Sequence, residues 1–371
     1  MFHRQKAAMG VVGSLLVFVG VLLSGFVISE PAPYELFMAF IVTMWFLFGL
    51  KISRQTAPLL ALLLIFNIGG IMSMTQMKDL DTAPMYLAVS TFLALTAVFF
   101  AAIIEERHQR LDLIFRAWVV AAVATALLGI LGYFNAFPGS DVFTLYSRAK
   151  GAFQDPNVFG PFLIAPVLYL IHGILTKSLF RMPLNVLGII ILSLGVLLSF
   201  SRAAWGLFGF AVLALVFIML LKERSGAFRL KILVLALVGL AVLAAVFMIA
   251  LQYQQVSDLF FSRAKLVESY DGGHLGRFDR HRLGFAMMLE RPLGIGPLVF
   301  SKIFPEDEHN IWLKCLTTYG WLGFCCYVGL VLWTIASGFK LLLRDRPWQP
   351  FLMIGWIMVV GHVGIGNIID I

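Results

Sequence analysis

Arg202 is a charged residue at a position where charge is costly. It lies between the apolar runs 184–201 and 203–221. Such a charge raises the free energy unless it reaches water, a membrane interface or a polar partner. If it faces a polar cavity, its guanidinium can bind two phosphate oxygens through parallel hydrogen bonds. The alternative interpretation is an arginine that snorkels from a helix end to the interface.

A second group of cations lies in the long polar segment 252–310. Helical spacing from Gly276 puts Arg277, Arg280 and His281 on one face of a helix. A different, apolar face comprises Phe278, Phe285 and Leu289. Turn-forming prolines and glycines at 292–297 end this helix. The cationic face favours a phosphate ligand, and the alternative is a basic interfacial helix held by anionic lipids.

His309 follows the acidic run 306–308 and precedes an apolar segment, with Asn310 beside it. An imidazole with an ordinary pKa can take up a proton near neutral pH, which makes His309 a candidate general base. The acidic run is interpreted as capping the next helix, because acids there meet the positive end of the helix dipole. The alternative for His309 is a solvated loop histidine without a role.

The segment 148–157 is a third polar stretch. Asp155-Pro156-Asn157 predicts a turn that leads into a span. Arg148 and Lys150 would add positive charge to a vestibule that attracts anions. The alternative is an ordinary loop and helix start.

Long apolar runs must position these groups. The chain has 371 residues, of which 60% are hydrophobic and 13% charged, unlike a soluble domain. Runs of about 20 apolar residues cross a bilayer. The sequence predicts eleven spans, near 9–28, 35–50, 57–75, 83–104, 112–134, 158–176, 183–200, 203–221, 230–251, 311–339 and 351–368. The length of the 311–339 segment allows a short surface helix before the span. We therefore predict an all-α polytopic membrane protein, with residues 1–371 forming a single transmembrane domain.

Lysine and arginine are concentrated in alternate short loops, including Arg4 and Lys6 at the start of the chain, Lys177 and Arg181. These loops are expected to be cytoplasmic. The N-terminus is then cytoplasmic, and the loop 252–310, between the ninth and tenth spans, lies on the outer side with the polar segments above. The net charge of +8 is explained by this loop basicity, so no nucleic-acid partner is expected.

Several classes of enzyme and transporter are disfavoured. There is no Gly-rich phosphate loop ending in Lys-Ser/Thr, no Gly-x-Ser-x-Gly elbow and no His-Glu-x-x-His motif. Asp79-Leu80-Asp81 has the spacing of metal-dependent sugar-nucleotide enzymes, but it falls on a short outer loop where nucleotide sugars are scarce. Acidic residues are nearly lacking within the spans, which disfavours an ion-coupled transporter.

Four segments in order resemble the O-antigen ligase and O-antigen polymerase superfamily. They are Gly151 to Asn157, the Ser201-Arg202 turn, Gly276-Arg277 followed by Arg291-Pro-Leu-Gly-Ile-Gly296, and His309-Asn310 followed by Tyr319-Gly-Trp-Leu-Gly323. The resemblance covers residues 140–330. An aromatic residue common after the family's Gly-Arg is replaced here by His281 or Phe285, depending on register.

The resemblance implies a membrane glycosyltransferase of the bacterial inner membrane, with an active site that faces the periplasm and lies partly in the loop 252–310. It implies an undecaprenyl-diphosphate-linked glycan as donor and lipid A-core or another lipid-linked glycan as acceptor, for a ligase or a polymerase respectively. Arg202 and Arg277 are expected to stabilise the leaving diphosphate and His309 to activate the hydroxyl. The candidates for substrate binding are Arg280, Arg148, Asn157 and Asn310, and Arg280 would take the role of Arg277 if the helix register differs. No metal or other cofactor is expected. A lipid-linked glycan flippase is the more distant alternative.

Overall fold

The computed structural model describes residues 2–48, 51–176, 182–264 and 276–365. The predicted span ends at 49–50 and 366–368, and the loop residues Lys177 and Arg181, lie outside these ranges. The helices are α1 Phe2–Leu23, α2 Pro33–Leu47, α3 Ala57–Met74, α4 Ala83–Glu106, α5 Arg110–Tyr133, α6 Pro156–Phe162, α7 Ile164–Thr176, α8 Met182–Leu198, α9 Arg202–Lys222, α10 Gly226–Leu251, α11 Gln254–Arg263, α12 Arg277–Leu289, α13 Phe300–Ile303, α14 Ile311–Leu341 and α15 Gln349–Ile365. A 3₁₀ turn, Ser140–Phe143, precedes the short antiparallel strands β1 Thr144–Leu145 and β2 Arg148–Ala149.

The described helices confirm the prediction of an all-α polytopic membrane protein. Seven are long and apolar enough to cross a bilayer, when α6 and α7 are counted together. Four shorter apolar helices, α1, α2, α8 and α15, correspond to the other four predicted spans. The predicted span at 158–176 is interrupted at Leu163, between α6 and α7. Pro161 and Pro166 flank this interruption, and each removes a backbone donor from the helix.

Small residues allow α3 and α14 to pack at very short range. A β-carbon added to Gly69 would lie 2.9 Å from the backbone nitrogen of Gly323, so a larger side chain would push the helices apart. Ser73 donates its hydroxyl hydrogen to the backbone oxygen of Thr318 across the same contact. Association of helices in lipid depends on such close backbone approach and on interhelical hydrogen bonds. The packing of α3 against α14 fixes the position of the first half of α14, which follows the polar segment 252–310 in the chain.

The helix α14 is broken at Gly320, where φ is 62° and ψ is −171°. The sequence-based span at 311–339 did not place this break. The turn after α12 packs into it, because the backbone nitrogens of Ile295 and Gly296 donate to the oxygen of Thr317 at 2.8 and 3.1 Å. Trp321 donates from its backbone nitrogen to the oxygen of Pro292 at 2.9 Å. The break therefore lets backbone groups of a spanning helix, the oxygen of Thr317 and the nitrogen of Trp321, hold the polar segment.

Replacing Gly320 with alanine is expected to destabilise the protein by about 1–3 kcal/mol, through a left-handed backbone and an overpacked contact. The added β-carbon would lie 2.7 Å from the carbonyl carbon of Leu293. Thermal unfolding of the detergent-purified protein, followed by tryptophan fluorescence, measures the change. Gly329 lies in the same helix with nothing within 4 Å of an added β-carbon, so Gly329→Ala is the matched control. Equal unfolding temperatures for both variants would contradict this role of Gly320.

The polar elements meet at one end of the bundle, which we call the site end: α5 and α10 finish there, and α6, α9 and α14 begin there. The strand pair and the helices α11, α12 and α13 lie at this end. The helix α12 packs on α14 through its buried face, which contains Arg277, Arg280, Gly284 and Met288. Phe278 and Leu289 are exposed, so the two faces of α12 are divided as the spacing predicted.

Candidate active site

A cleft of about 230 Å³ opens at the site end. We call it the arginine cleft, and its lining residues are Arg148, Asn157, Phe200, Ser201, Arg202, Arg263, Arg277, Arg280, Glu306 and His309. Six of the seven residues singled out in the sequence are among them, and Asn310 is the exception. Residues up to 161 positions apart in the chain are thus brought to one cavity, since Arg148 and His309 both line it.

The start of α9 places Arg202 at the cleft. Phe200 is 1% exposed and has a φ of 45°, which is rare for a bulky residue and turns the chain sharply after α8. Ser201 then caps α9, because its hydroxyl oxygen accepts from the backbone nitrogen of Ala204 at 3.4 Å. Arg202 is the first residue of α9, so its charge adds to the positive end of the helix dipole. Both features favour an anion at this position.

Arg148 is held by hydrogen bonds next to the segment that precedes Arg202. Its side chain is buried, and its Nε donates to the backbone oxygen of Ser199 at 2.7 Å. Its Nη2 donates to Oδ1 of Asn157 at 2.7 Å. Asn157 is itself fixed, since its backbone nitrogen donates to Oδ1 of Asp155, the cap of α6, at 2.6 Å. The segment 151–157 therefore orients an arginine as well as starting a helix.

The buried face of α12 supplies two more guanidinium groups. Arg277 is 6% exposed and Arg280 is 4% exposed, so both are largely removed from water. Nη2 of Arg277 donates to the backbone oxygen of His309 at 3.2 Å. Nη2 of Arg280 forms an ion pair with Oε2 of Glu306 at 2.7 Å. These contacts join α12 to the segment that carries the histidine.

His309 has a strained backbone, with a φ of 46°. Non-glycine residues adopt this conformation at a cost, and such strain is concentrated at functional sites. Nε2 of His309 lies 4.0 Å from Oε2 of Glu306. The imidazole remains partly exposed to the cleft while its backbone is held by Arg277. The side chain can therefore meet a ligand whose position the arginines determine.

The interpretation of the acidic run as a helix cap is wrong. Asn310 caps α14, because its Oδ1 accepts from the backbone nitrogens of Trp312 and Leu313 at 3.0 Å each. Glu306 pairs with Arg280, and Glu308 is buried, with Oε1 accepting from the hydroxyl of Thr317 at 2.6 Å. A role for Asn310 in substrate binding stays a prediction, and its side-chain oxygen has a structural task.

Two titratable groups lie next to His309: Glu308, which is buried, and His281, which is partly buried. Burial raises the pKa of Glu308, against the opposing effect of its hydrogen bond from Thr317. Burial lowers the pKa of His281, against the opposing effect of its hydrogen bond with the backbone of Glu308, and the charges of Arg277 and Arg280 add to the lowering. Nε2 of His281 lies 2.7 Å from the backbone oxygen of Glu308. His281 is not among the residues that line the cleft, and its hydrogen bond holds the backbone directly before His309.

Two charged lining residues, Arg263 and Glu306, were not predicted as site residues from the sequence. Arg263 is the last residue of α11, a short helix within the segment 252–310, which the sequence predicts as a loop. Its signal was the helical spacing of Val256, Phe260 and Arg263, which could have predicted a helix with the arginine on its packed face. Glu306 was considered only for its contribution to capping.

The charges of the arginine cleft suit an anion that carries more than one negative charge. Five arginines line it, and Glu306 is the one acid among the described lining residues. Guanidinium groups from several segments can bind several oxygens of one ligand at once, with geometric selectivity for phosphates. Fixed donors of this kind stabilise charge that develops during a reaction.

An apolar groove of about 300 Å³ is lined by residues that neighbour the arginine cleft along α9 and α11. Its lining includes Leu197, Trp205, Phe208, Val246, Phe247 and Phe260, from α8, α9, α10 and α11. Trp205 lies one turn after Arg202 and Phe260 one turn before Arg263. The rings of Trp205 and Phe260 are 5.3 Å apart. Cationic and apolar surfaces therefore adjoin along two helices.

Most of the residues that line the arginine cleft lie in a region that is similar to a known family. The family model described as O-antigen ligase matches residues 187–328. The matched region contains Arg202, Arg263, Arg277, Arg280 and His309. No curated protein and no solved structure is significantly similar to the chain. Over residues 187–328, this integral membrane protein is similar to O-antigen ligases, and that match supports the O-antigen ligase and polymerase superfamily.

Proposed function

We propose that this protein transfers a saccharide from an undecaprenyl-diphosphate carrier to a sugar hydroxyl of lipid A-core, as an O-antigen ligase. Glycosyltransferase-like enzymes that act on lipid-linked glycans make up the superfamily. One observation supports a polyprenyl diphosphate as the donor: five arginines and His309 line one cleft, and that cleft adjoins an apolar groove. In a polyprenyl diphosphate, an anionic group is joined directly to an apolar chain, which matches a cationic cleft next to an apolar groove.

The reaction is a displacement at the anomeric carbon. The acceptor oxygen forms the new bond to that carbon, while the bond from the carbon to the diphosphate oxygen breaks and its electrons stay on the diphosphate. Arg202 and Arg277 stabilise the charge that this leaving group gains. Arg148 and Arg280 bind further phosphate oxygens. Guanidinium charge supplies what a divalent cation supplies elsewhere, so we propose that transfer needs no metal.

His309 is proposed to take the proton from the acceptor hydroxyl. The Arg277 contact fixes its backbone, and Glu306 is close enough to stabilise the imidazolium that forms. Entry of the diphosphate would compete with Glu306 for Arg280. Glu306 is then free to turn towards His309 as the proton is transferred.

The apolar groove is proposed to take the first isoprene units of the carrier. Its lining is aromatic and aliphatic, and Trp205 lies one turn from Arg202 on α9. A chain in this groove would be continuous with the bilayer, while its diphosphate stays at the site end. The distribution of Lys and Arg in the loops supports a site end that faces the periplasm of the inner membrane.

A polymerase would use the same donor site and differ in its acceptor. Deletion of the gene separates the two: loss of ligation leaves long chains on the carrier, and loss of polymerisation leaves single units on the core. We expect long carrier-linked chains to accumulate. Single units attached to the core would replace the ligase proposal by the polymerase alternative.

Transfer by the purified protein in liposomes tests the reaction itself. The donor is a defined undecaprenyl-diphosphate glycan and the acceptor is lipid A-core, with and without a chelator. We expect a new glycosidic bond and released carrier diphosphate in both conditions, without nucleotide. Product that requires added metal or nucleotide contradicts the mechanism, and lipid translocation without a new bond favours the flippase alternative.

A further inference from the structure

A second cavity lies at the site end, beside the arginine cleft. It has a volume of about 540 Å³, and we call it the polar cavity. Its lining residues are Gly132, Tyr133, Asn135, Thr144, Ser147, Gln255, Asp258, Leu259 and Ser262. They come from the end of α5, the strand pair and α11. None of the functional roles above uses this cavity.

The lining of the polar cavity differs chemically from that of the arginine cleft. It offers side-chain amides, hydroxyls and the carboxylate of Asp258, the one charged group among the described lining residues. Such groups donate to and accept from neutral hydroxyls, and Asp258 would repel a phosphate. Tyr133 adds an aromatic ring at one wall. A polyhydroxylated, uncharged ligand fits this set of groups.

One helix connects the polar cavity to the arginine cleft. Gln255, Asp258, Leu259 and Ser262 recur at helical spacing and form one face of α11. Arg263, the next residue, lines the arginine cleft. The strand pair repeats this arrangement, because Ser147 lines the polar cavity and Arg148 lines the arginine cleft. A ligand that fills both sites would contact α11 and the strand pair in each of them.

The turn between the strands is strained where it borders the polar cavity. Tyr146 and Ser147 have φ values of 50° and 59°. Two-residue hairpin turns of this kind favour asparagine and glycine, so tyrosine and serine are costly here. Ser147 lines the polar cavity, and its neighbour in the turn, Tyr146, is 80% exposed. An exposed aromatic ring beside hydroxyl and amide groups suits the apolar face of a sugar.

We propose that the polar cavity is a saccharide subsite that binds sugar units of the transferred or accepting glycan next to the diphosphate. This inference rests on the proposed function and adds a location for the glycan. The subsite holds the saccharide by neutral hydrogen bonds while the arginine cleft holds the phosphates. Its occupant comes from the donor or from the acceptor, which share this hydroxyl chemistry.

Binding by the full-length protein in detergent tests the proposal with three probes. The first is undecaprenyl diphosphate without sugar. The second is the saccharide released by mild acid from the carrier of a deletion strain, and the third is the oligosaccharide released from lipid A-core. The second and third probes distinguish a donor subsite from an acceptor subsite.

Gln255→Ala removes one amide from the exposed face of α11. We expect affinity for one of the two saccharide probes to fall about threefold to tenfold, the loss of one neutral hydrogen bond. The double variant Gln255→Ala/Asp258→Ala should lose at least about tenfold. Affinity for undecaprenyl diphosphate should not change. Gln254→Ala is the matched control, because this exposed neighbour is outside the lining of the polar cavity.

The transfer assay gives a second readout. In the double variant, KM for the substrate that carries the bound saccharide should rise at least about tenfold, with kcat retained. Unchanged saccharide affinity and unchanged KM values, in a variant that unfolds at the wild-type temperature, would overturn the subsite and leave the proposed function intact. Absence of transfer by the wild type refutes the proposed function, and the binding measurements still decide whether the cavity holds saccharide.

Discussion

Replacing His309 with alanine is expected to lower kcat for saccharide transfer by about 10²–10⁴-fold, the range that a positioned general base contributes. The expectation rests on geometry. The imidazole faces the arginine cleft, its strained backbone is held by Arg277, and Glu306 lies 4.0 Å from Nε2. Loss of the base leaves the donor site intact, so the donor KM should change little. Steady-state kinetics in liposomes measures both constants.

The control for His309→Ala is His108→Ala. His108 is exposed between α4 and α5, at the end of the bundle opposite the site end. Its removal should leave kcat unchanged. A folded His309→Ala variant with wild-type kcat would exclude proton transfer by this residue, whatever the fate of the arginines.

The spans could be predicted from the sequence because the bilayer imposes a simple rule. Apolar runs of about 20 residues must form helices whose backbone groups bond within the segment. The break at Gly320 was hidden by the same rule, since the apolar run continues on both sides of it. Its cause is not local: Thr317 accepts from Ile295 and Gly296, more than 20 residues earlier in the chain. A pattern along one helix cannot show which loop will pack into it.

The predicted site residues are recognisable from their local sequence, whereas the missed ones depend on contacts between distant segments. Arg202 and Arg277 stand out because a charge near apolar segments requires an explanation. Glu306 does not stand out, because a loop acid needs none until its ion pair with Arg280 is known. The resemblance to a family indicated which motifs belong to one site. The structure shows that these motifs have different roles: the backbone of the turn at 292–296 bonds to the break in α14, whereas the arginines line the cleft.

Replacing Arg277 with glutamine is expected to lower kcat by about 10²–10³-fold, as the loss of one fixed donor to a developing negative charge does. Arg277 is 6% exposed, so its charge is weakly screened by water. It also holds the backbone oxygen of His309 at 3.2 Å, which couples leaving-group stabilisation to the position of the base. Lysine should recover only part of the loss, because it lacks the planar fork of donors.

Arg282→Gln provides the matched control, since Arg282 lies on the same helix with a side chain 74% exposed and paired with Asp279. It should keep wild-type kcat. The double variant Arg277→Gln/His309→Ala sharpens the argument. If the two residues act on one transition state, the double variant should lose less than the product of the single losses. Fully multiplicative losses would mean that the two groups act independently, and a wild-type kcat for Arg277→Gln would remove this guanidinium from the reaction.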